Sequence, residues 1–371
     1  MHCTLLSAFI IGSRVRLVNN ARGIYRASHS SKTVAVSGFL SDFGTKGIRL
    51  QIVCVYGTIR DMEQFWTSFN IVMPLVLMTA TGFLIRKAGI VSEEAFRIIN
   101  RIVYYVGIPT LVFYSVVTDR TPARWQYALW VAGTILAAFL LAMLLARVLT
   151  KDPAKRGTLA QSAYRSNDGI FGLAVATAIC GEGNTGTMAF TLVISAALFG
   201  VTGVLCYELN RGGRIKLGKV LLNLVKNPIL IAAALAFLVR FTGITVPYVI
   251  LRPIEYFKHM CTPLGFLVLG GVLSFRSLRE NWKLVSIASA VKLVLLPVLM
   301  CSLAYFLGGI RGPELSSLFI VFASPVAMSC MPMASELGGD VKLAGEMIAV
   351  TTVLSLLTVF LYLTFFGGIL I

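Results

Sequence analysis

About ten apolar runs, each near the twenty residues a helix needs to cross a bilayer, succeed one another between positions 67 and 370. They fall near 67–86, 97–117, 126–149, 158–181, 187–208, 220–241, 254–274, 282–308, 314–337 and 344–370, and are numbered spans 1 to 10. In hydrocarbon every backbone N–H and C=O must be satisfied internally, so runs of this length read as helices. The expected fold class is an all-α polytopic membrane protein with ten transmembrane helices. Composition agrees, with 57% of the 371 residues hydrophobic, 13% charged and a mean hydropathy of +0.83. A formal charge of +17 would suit a nucleic-acid partner, but the basic residues cluster between apolar runs, where they report topology instead. Seven scattered cysteines without a CxxC and three histidines without an HExxH give no metal site and no cofactor to expect.

Alternate loops carry unequal numbers of Lys and Arg: 18 after the odd spans, with Arg165 counted there, against 6 after the even ones. The odd loops are therefore expected in the cytoplasm, and both ends of the membrane domain outside it, in the plasma (inner) membrane. Residues 1–61 differ, with eight Lys and Arg and apolar patches at Leu5–Ile11 and Leu50–Val55 too short to span. They read as a poorly ordered N-terminal extension, or an over-called start ahead of Met62, with no function assigned. The remainder divides into a first half at 62–208, a short cytoplasmic linker at 209–219 and a second half at 220–371.

Span 9 argues against a plain helix. Pro325 and Pro332 stand seven residues apart in FASPVAMSCMPMAS, Phe322–Ser335. Proline removes a backbone donor and clashes with the preceding turn, and broken backbone at this depth survives only inside protein or beside a wet cavity. An interrupted membrane helix points to a transporter's binding site; a kinked packing helix without ligand is the plain alternative.

An internal repeat predicts a second break. LIRKAGI at Leu84–Ile90 returns as LVRFTGI at Leu238–Ile244, and a proline (Pro109, Pro263) comes twenty residues after each glycine. GEG at Gly181–Gly183 closes span 4 as GGD at Gly338–Asp340 closes span 9. Spans 1–5 thus match spans 6–10, and because five is odd the two five-helix repeats must be inverted. Span 4 should then break as span 9 does, and YRSNDGIFG, Tyr164–Gly172, places two glycines and an Asn-Asp pair there. Crossed broken helices 4 and 9 would aim half-helix N-termini at a point suited to a small anion. The candidate substrate-binding residues are Ser166, Asn167, Ser324, Pro325, Ser329 and Pro332; alternatively, the polar ones only cap broken backbone. Pro332→Ala is expected to restore a continuous helix and impair turnover.

RSN followed by GIFGL (Arg165–Leu173), Asn227-Pro228, KLVLLP (Lys292–Pro297) and the closing ASPVAMSCMPMASELGGDVKLAGEMIAVTTVLSLLT resemble the auxin efflux carrier family over residues 65 to 371. The resemblance implies ten helices in two inverted repeats, a scaffold part that dimerises and a part that moves like an elevator. It implies small organic anions as substrates: auxin in plants, malonate, malate or similar carboxylates in bacteria. It carries Asn167 and Pro325 over as substrate-site positions; Asp168 does not belong to the family pattern. The short loop after span 5 favours a prokaryotic-type carrier over auxin itself.

Asp168 and Lys292 are the deepest ionisable residues, at a cost of about 2.5–3.5 kcal/mol each at a span centre. Lys292 fixes the anion or neutralises Asp168, or else snorkels from a scaffold helix. Asp168 is a proton or sodium coupling group, or a cap on the second half of span 4. The expected function is a secondary carrier of small carboxylate anions working by alternating access. An H+- or Na+-coupled exchanger of the same architecture is the alternative. A membrane-embedded enzyme is remote, for the spans offer no GxGD, no HExxH and no two facing carboxylates.

Overall fold

The computed structural model describes residues 16–19, 25–29, 32–35, 45–118, 124–180, 185–211, 218, 222, 225–273 and 278–370. The Gly181–Gly183 motif and most of the 209–219 linker lie outside the described residues. The chain divides into two units, Met1–Met62 and Glu63–Ile371. In the first, β1 (Arg16–Asn19), β2 (Tyr25–His29) and β3 (Lys32–Ala35) form an antiparallel sheet in chain order, with Leu17 opposite Ala27 and Ala27 opposite Val34. Helix α1 (Thr45–Lys87) contains the first apolar run, Met62–Lys87.

The regular elements among the described residues of Glu63–Ile371 are helices, as a polytopic membrane protein requires. Among the described residues six stretches are long and apolar enough to cross a bilayer: Met62–Lys87, Glu93–Thr118, Trp125–Leu149, Gly186–Asn210, Glu280–Phe306 and Val341–Gly367. In chain order the helices after α1 are α2 (Glu93–Ile102), α3 (Ile108–Thr118), α4 (Trp125–Leu149), α5 (Pro153–Tyr164), α6 (Leu173–Cys180) and α7 (Gly186–Arg211). Then come α8 (Pro228–Thr242), α9 (Tyr248–Gly271), α10 (Leu278–Ala290), α11 (Leu296–Phe306), α12 (Gly312–Ala323), α13 (Cys330–Glu336) and α14 (Val341–Leu370).

Local chemistry sets these boundaries. Asp152 and Asn227 accept from the backbone N–H two residues on, each at 2.9 Å, and a proline comes next in each case as the first helical residue. Gly89 and Gly243, the glycines of the two repeated motifs, both take left-handed backbone (φ 72° and 69°) just past a helix end. Arg86 then donates to the carbonyls of Gly271 and Leu273, both at 2.9 Å, closing the end of α9. Pro109 and Pro297 would each clash with a carbonyl four residues earlier. Wide π turns at Val103–Gly107 and Val291–Leu295 lie immediately before them and accommodate the missing donors.

Spans 1 and 7 touch backbone to backbone. A Cβ built on Gly82 would lie 2.0 Å from the Leu267 carbonyl oxygen, and one on Gly270 only 1.8 Å from that of Thr79. Small residues allow such approach where no hydrophobic force draws helices together. Gly270→Ala must push the two helices apart, so it is expected to lower stability by about 1–3 kcal/mol, read as a fall in the thermal midpoint in detergent. An unchanged midpoint would mean that the two spans do not rely on this contact.

Candidate functional site: the crossing of spans 4 and 9

Both spans are interrupted, and the interruptions meet. In span 4, α5 ends at Tyr164, Arg165 turns extended (φ −70°, ψ 132°), and a π turn at Asp168–Gly172 leads into α6. In span 9, α12 ends at Ala323, Ser324 is extended (φ −66°, ψ 148°), and α13 starts at Cys330. Ser166 pairs antiparallel with Val326, and the Asn167 N–H donates to the Pro325 carbonyl at 2.8 Å. The Val326 N–H goes to Thr351 Oγ1 on α14 at 3.1 Å. Each break thus satisfies backbone groups freed by the other, which is what allows non-helical chain at this depth. The spans run in opposite directions: the Asp340 N–H, just past α13, reaches Thr158 Oγ1 in α5 at 2.9 Å.

The break in span 9 is made at Ser324–Ser329, not at Pro332. Pro332 is the third residue of α13, in a first turn whose N–H groups have no intrahelical partner, so its missing donor costs nothing there. Pro332→Ala would leave the interruption in place, contrary to the expectation of a restored helix. Its side chain is exposed, whereas Ser166, Asn167, Asp168, Ser324 and Pro325 are buried together. Ser329, at the N-cap of α13, is half-buried and makes no capping bond. Ser324 donates its hydroxyl back to the Ile320 carbonyl at 2.6 Å, completing the end of α12.

Lys292 reaches this crossing from the π turn of span 8 and is fully buried. Its ammonium donates to the Phe322 carbonyl at 3.1 Å, to the Tyr164 carbonyl at 3.3 Å and to Ser166 Oγ. Three donors meet three acceptors. Two of those acceptors are terminal carbonyls of α5 and α12, where the partial negative ends of both half-helices converge. The snorkelling alternative is therefore corrected: the side chain points into the crossing, not toward an interface. Among the described residues no ion pair joins it to Asp168, whose carboxylate accepts from Ser195 of α7 at the start of the π turn.

Two groups at the crossing lack ordinary partners. The Asn167 side-chain Nδ2 is buried without a hydrogen bond, although its backbone is fully engaged. Arg165, counted with the loops in the sequence, lies instead at the C-cap of α5; the odd-loop total of basic residues falls to 17 without it. Its guanidinium is half-buried and donates to the thioether of Met333 at 2.6 Å, beside Gln161 Nε2 at 3.2 Å from the same sulfur. No carboxylate lies within ion-pair distance of it among the described residues. The position of Arg165 inside the span 4 run was the available signal; Ser195 and Thr351 had none.

A sequence profile described as membrane transport protein matches residues 67–363. An uncharacterized transporter of Methanocaldococcus jannaschii is 25% identical over 301 residues, 79% of this chain and 97% of the relative. A second uncharacterized transporter, from Methanothermobacter thermautotrophicus, is 26% identical over 300 residues with the same coverage of each chain.

Proposed function

From the premise that the chain belongs to the membrane transport protein family, a family of transporters and not of enzymes, we propose a secondary carrier of small carboxylate anions. It works by alternating access around the crossing of spans 4 and 9. The observation that carries this reading is the pair of underused donors there, the orphaned Asn167 amide and the Arg165 guanidinium whose described partner is a thioether. A buried donor without an acceptor is costly, about 1–3 kcal/mol, and a carboxylate supplies acceptors for both groups. Arg offers a planar fork that matches a carboxylate, which a thioether cannot use.

Ten crossings in two inverted repeats account for the architecture. In support, α5 and α12 are both 12 residues long, both begin beside a proline, and they end two and three residues before the paired Ser166 and Val326. Asp168, tied to Ser195 of α7 where the second half of span 4 begins, is better explained as a link between these two helices than as the ion site of an H+- or Na+-coupled exchanger. Residues 1–61 are left out of the carrier, and the plasma membrane is its expected location.

The test is uptake into proteoliposomes of the anion that most raises the thermal midpoint among a panel of mono- and dicarboxylates. Asn167→Ala should raise its half-saturating concentration about tenfold, the equivalent of 1.4 kcal/mol, at unchanged abundance. Carboxylates that neither stabilise nor enter, or an Asn167→Ala protein indistinguishable from the parent, would remove the proposal.

A further inference from the structure

One buried acid has no part in the crossing. Glu346 of α14 is 1% exposed, and neither of its carboxyl oxygens has a hydrogen-bond partner. Among the described residues it enters no ion pair. Ser162 of α5 is also fully buried, and its hydroxyl is also unpartnered. Helical spacing turns both toward the junction of α5, α10 and α14. Glu346 stands one turn beyond Lys342, which bonds Glu280 of α10 at 2.6 Å. Ser162 shares a stripe of α5 with Lys155 and Thr158. Lys155 reaches Asn281 of α10 at 3.0 Å, and Thr158 holds the Asp340 N–H ahead of α14 at 2.9 Å. From that last contact both helices run toward the span 9 break, which Ser166 and Thr351 reach. Glu346 is six residues along and Ser162 four, so they differ by about 3 Å in depth at 1.5 Å per residue.

The other titratable groups on the elements packed against α14 are engaged or point elsewhere. At its own start, Asp340 accepts from the Leu343 N–H at 2.9 Å. On α5, Arg156 turns to the Thr150 and Lys151 carbonyls and Tyr164 donates to Thr202. Lys283 of α10 and Glu336 of α13 are exposed. Lys292 and Cys330 belong to the break, and Glu314 to the opposite end of α12. We propose that Glu346 is the proton site of the carrier, taking up one H+ where the anion binds and releasing it where the anion leaves. The proposal rests on the carrier reading and assigns its driving ion. A buried carboxylate with no donor is costly, and the neutral acid is the form this packing accepts. The acid gains an O–H donor, for which Ser162 offers a lone pair. A hard metal cation would want about six oxygens, whereas these two side chains bring three. The proton also offsets the charge of the anion, so the loaded carrier crosses with no added charge. Thr351, five residues on along α14, holds the Val326 N–H of the break, so a charge at Glu346 acts on the helix that fastens span 9.

Two measurements test this. At neutral pH the infrared difference spectrum, parent minus Glu346→Gln, should show a carboxylic-acid C=O band that shifts down in D2O. A carboxylate band in its place overturns the proposal. In proteoliposomes, corrected for protein-free vesicles, labelled malonate is followed in exchange for internal malonate and in net accumulation under an acid-outside gradient. A tenfold proton gradient supplies up to a factor of ten per proton, so accumulation by the parent should rise about fivefold. Glu346→Gln should lose that response while slowing exchange no more than about threefold, and Glu346→Asp should keep the response. Glu336→Gln, at an exposed acid, should change neither. Exchange by the parent with no response to the proton gradient, or with a response only to a Na+ gradient, overturns the proton site and leaves the carrier standing. So does an undiminished response in Glu346→Gln. Absence of exchange in the parent would instead remove the carrier reading, and the coupling with it.

Discussion

Lys292→Met is expected to abolish uptake and to lower stability by about 2–4 kcal/mol, read as a drop in the thermal midpoint of the detergent-purified protein. The change strips one donor each from the Tyr164 carbonyl, the Phe322 carbonyl and Ser166 Oγ. A buried acceptor left unsatisfied costs about 1–3 kcal/mol, and here two partial negative helix ends are left facing one another. Against this, removing a buried ammonium relieves a desolvation penalty of several kcal/mol. The losses outweigh the relief because the cation already has three well-placed acceptors. The net figure stays below the sum of three broken bonds because of that relief. Lys292→Arg should not rescue, since a longer planar fork in a fully buried slot overpacks it at about 1–3 kcal/mol. Lys283→Gln, on the exposed side of α10, should alter neither measurement and serves as the control. A Lys292→Met protein that transports and melts like the parent would show that the crossing holds without its central cation.

The two interruptions were legible in the sequence for different reasons. In span 9 the signal was a pair of prolines, but only the first does the breaking. A proline interrupts a helix only where its N–H is needed, and in the first turn of α13 it is not. In span 4 there is no proline at the break, and the repeat had to supply the expectation. In the structure α5 and α12 stop at Tyr164 and Ala323, and the chain beyond each pairs with the other. The role of Lys292 was not legible. It depends on a π turn that re-aims one residue of span 8, and on carbonyls 128 and 30 residues away in the chain. Hydropathy reads a lysine in an apolar run as a cost and says nothing of what meets it. The opposite error befell Arg165. A charge that breaks an apolar pattern is easily assigned to the neighbouring loop, and the topology count absorbed it. Buried backbone carbonyls and thioethers leave no periodicity to read, so the partners that fix both cations emerge only once helices from distant parts of the chain are brought together.

Arg165→Gln is expected to lower uptake at least a hundredfold while leaving abundance and thermal midpoint near those of the parent. A charge-assisted hydrogen bond contributes about 1.5–3 kcal/mol, and a carboxylate held by two of them through one guanidinium loses both on substitution; tenfold in binding corresponds to 1.4 kcal/mol. The fold loses little, because the described partner of Arg165 is the Met333 sulfur, a weak acceptor, with Gln161 still beside it. Arg165→Lys keeps the charge without the fork and should recover part of the activity, with a raised half-saturating concentration and a maximal rate closer to normal. The competing explanation is that Arg165 exists only to position Met333 of α13. Met333→Leu tests it, since leucine keeps the bulk and removes the sulfur. If positioning were the whole role, Met333→Leu would fail as badly as Arg165→Gln. The expected result is the reverse: uptake within about threefold of the parent, the volume-conserving swap costing under about 1.5 kcal/mol. The guanidinium would then be free of its thioether and open to the anion. Equal loss in the two variants, or survival of uptake in Arg165→Gln, would leave the carrier without the cation that selects its substrate.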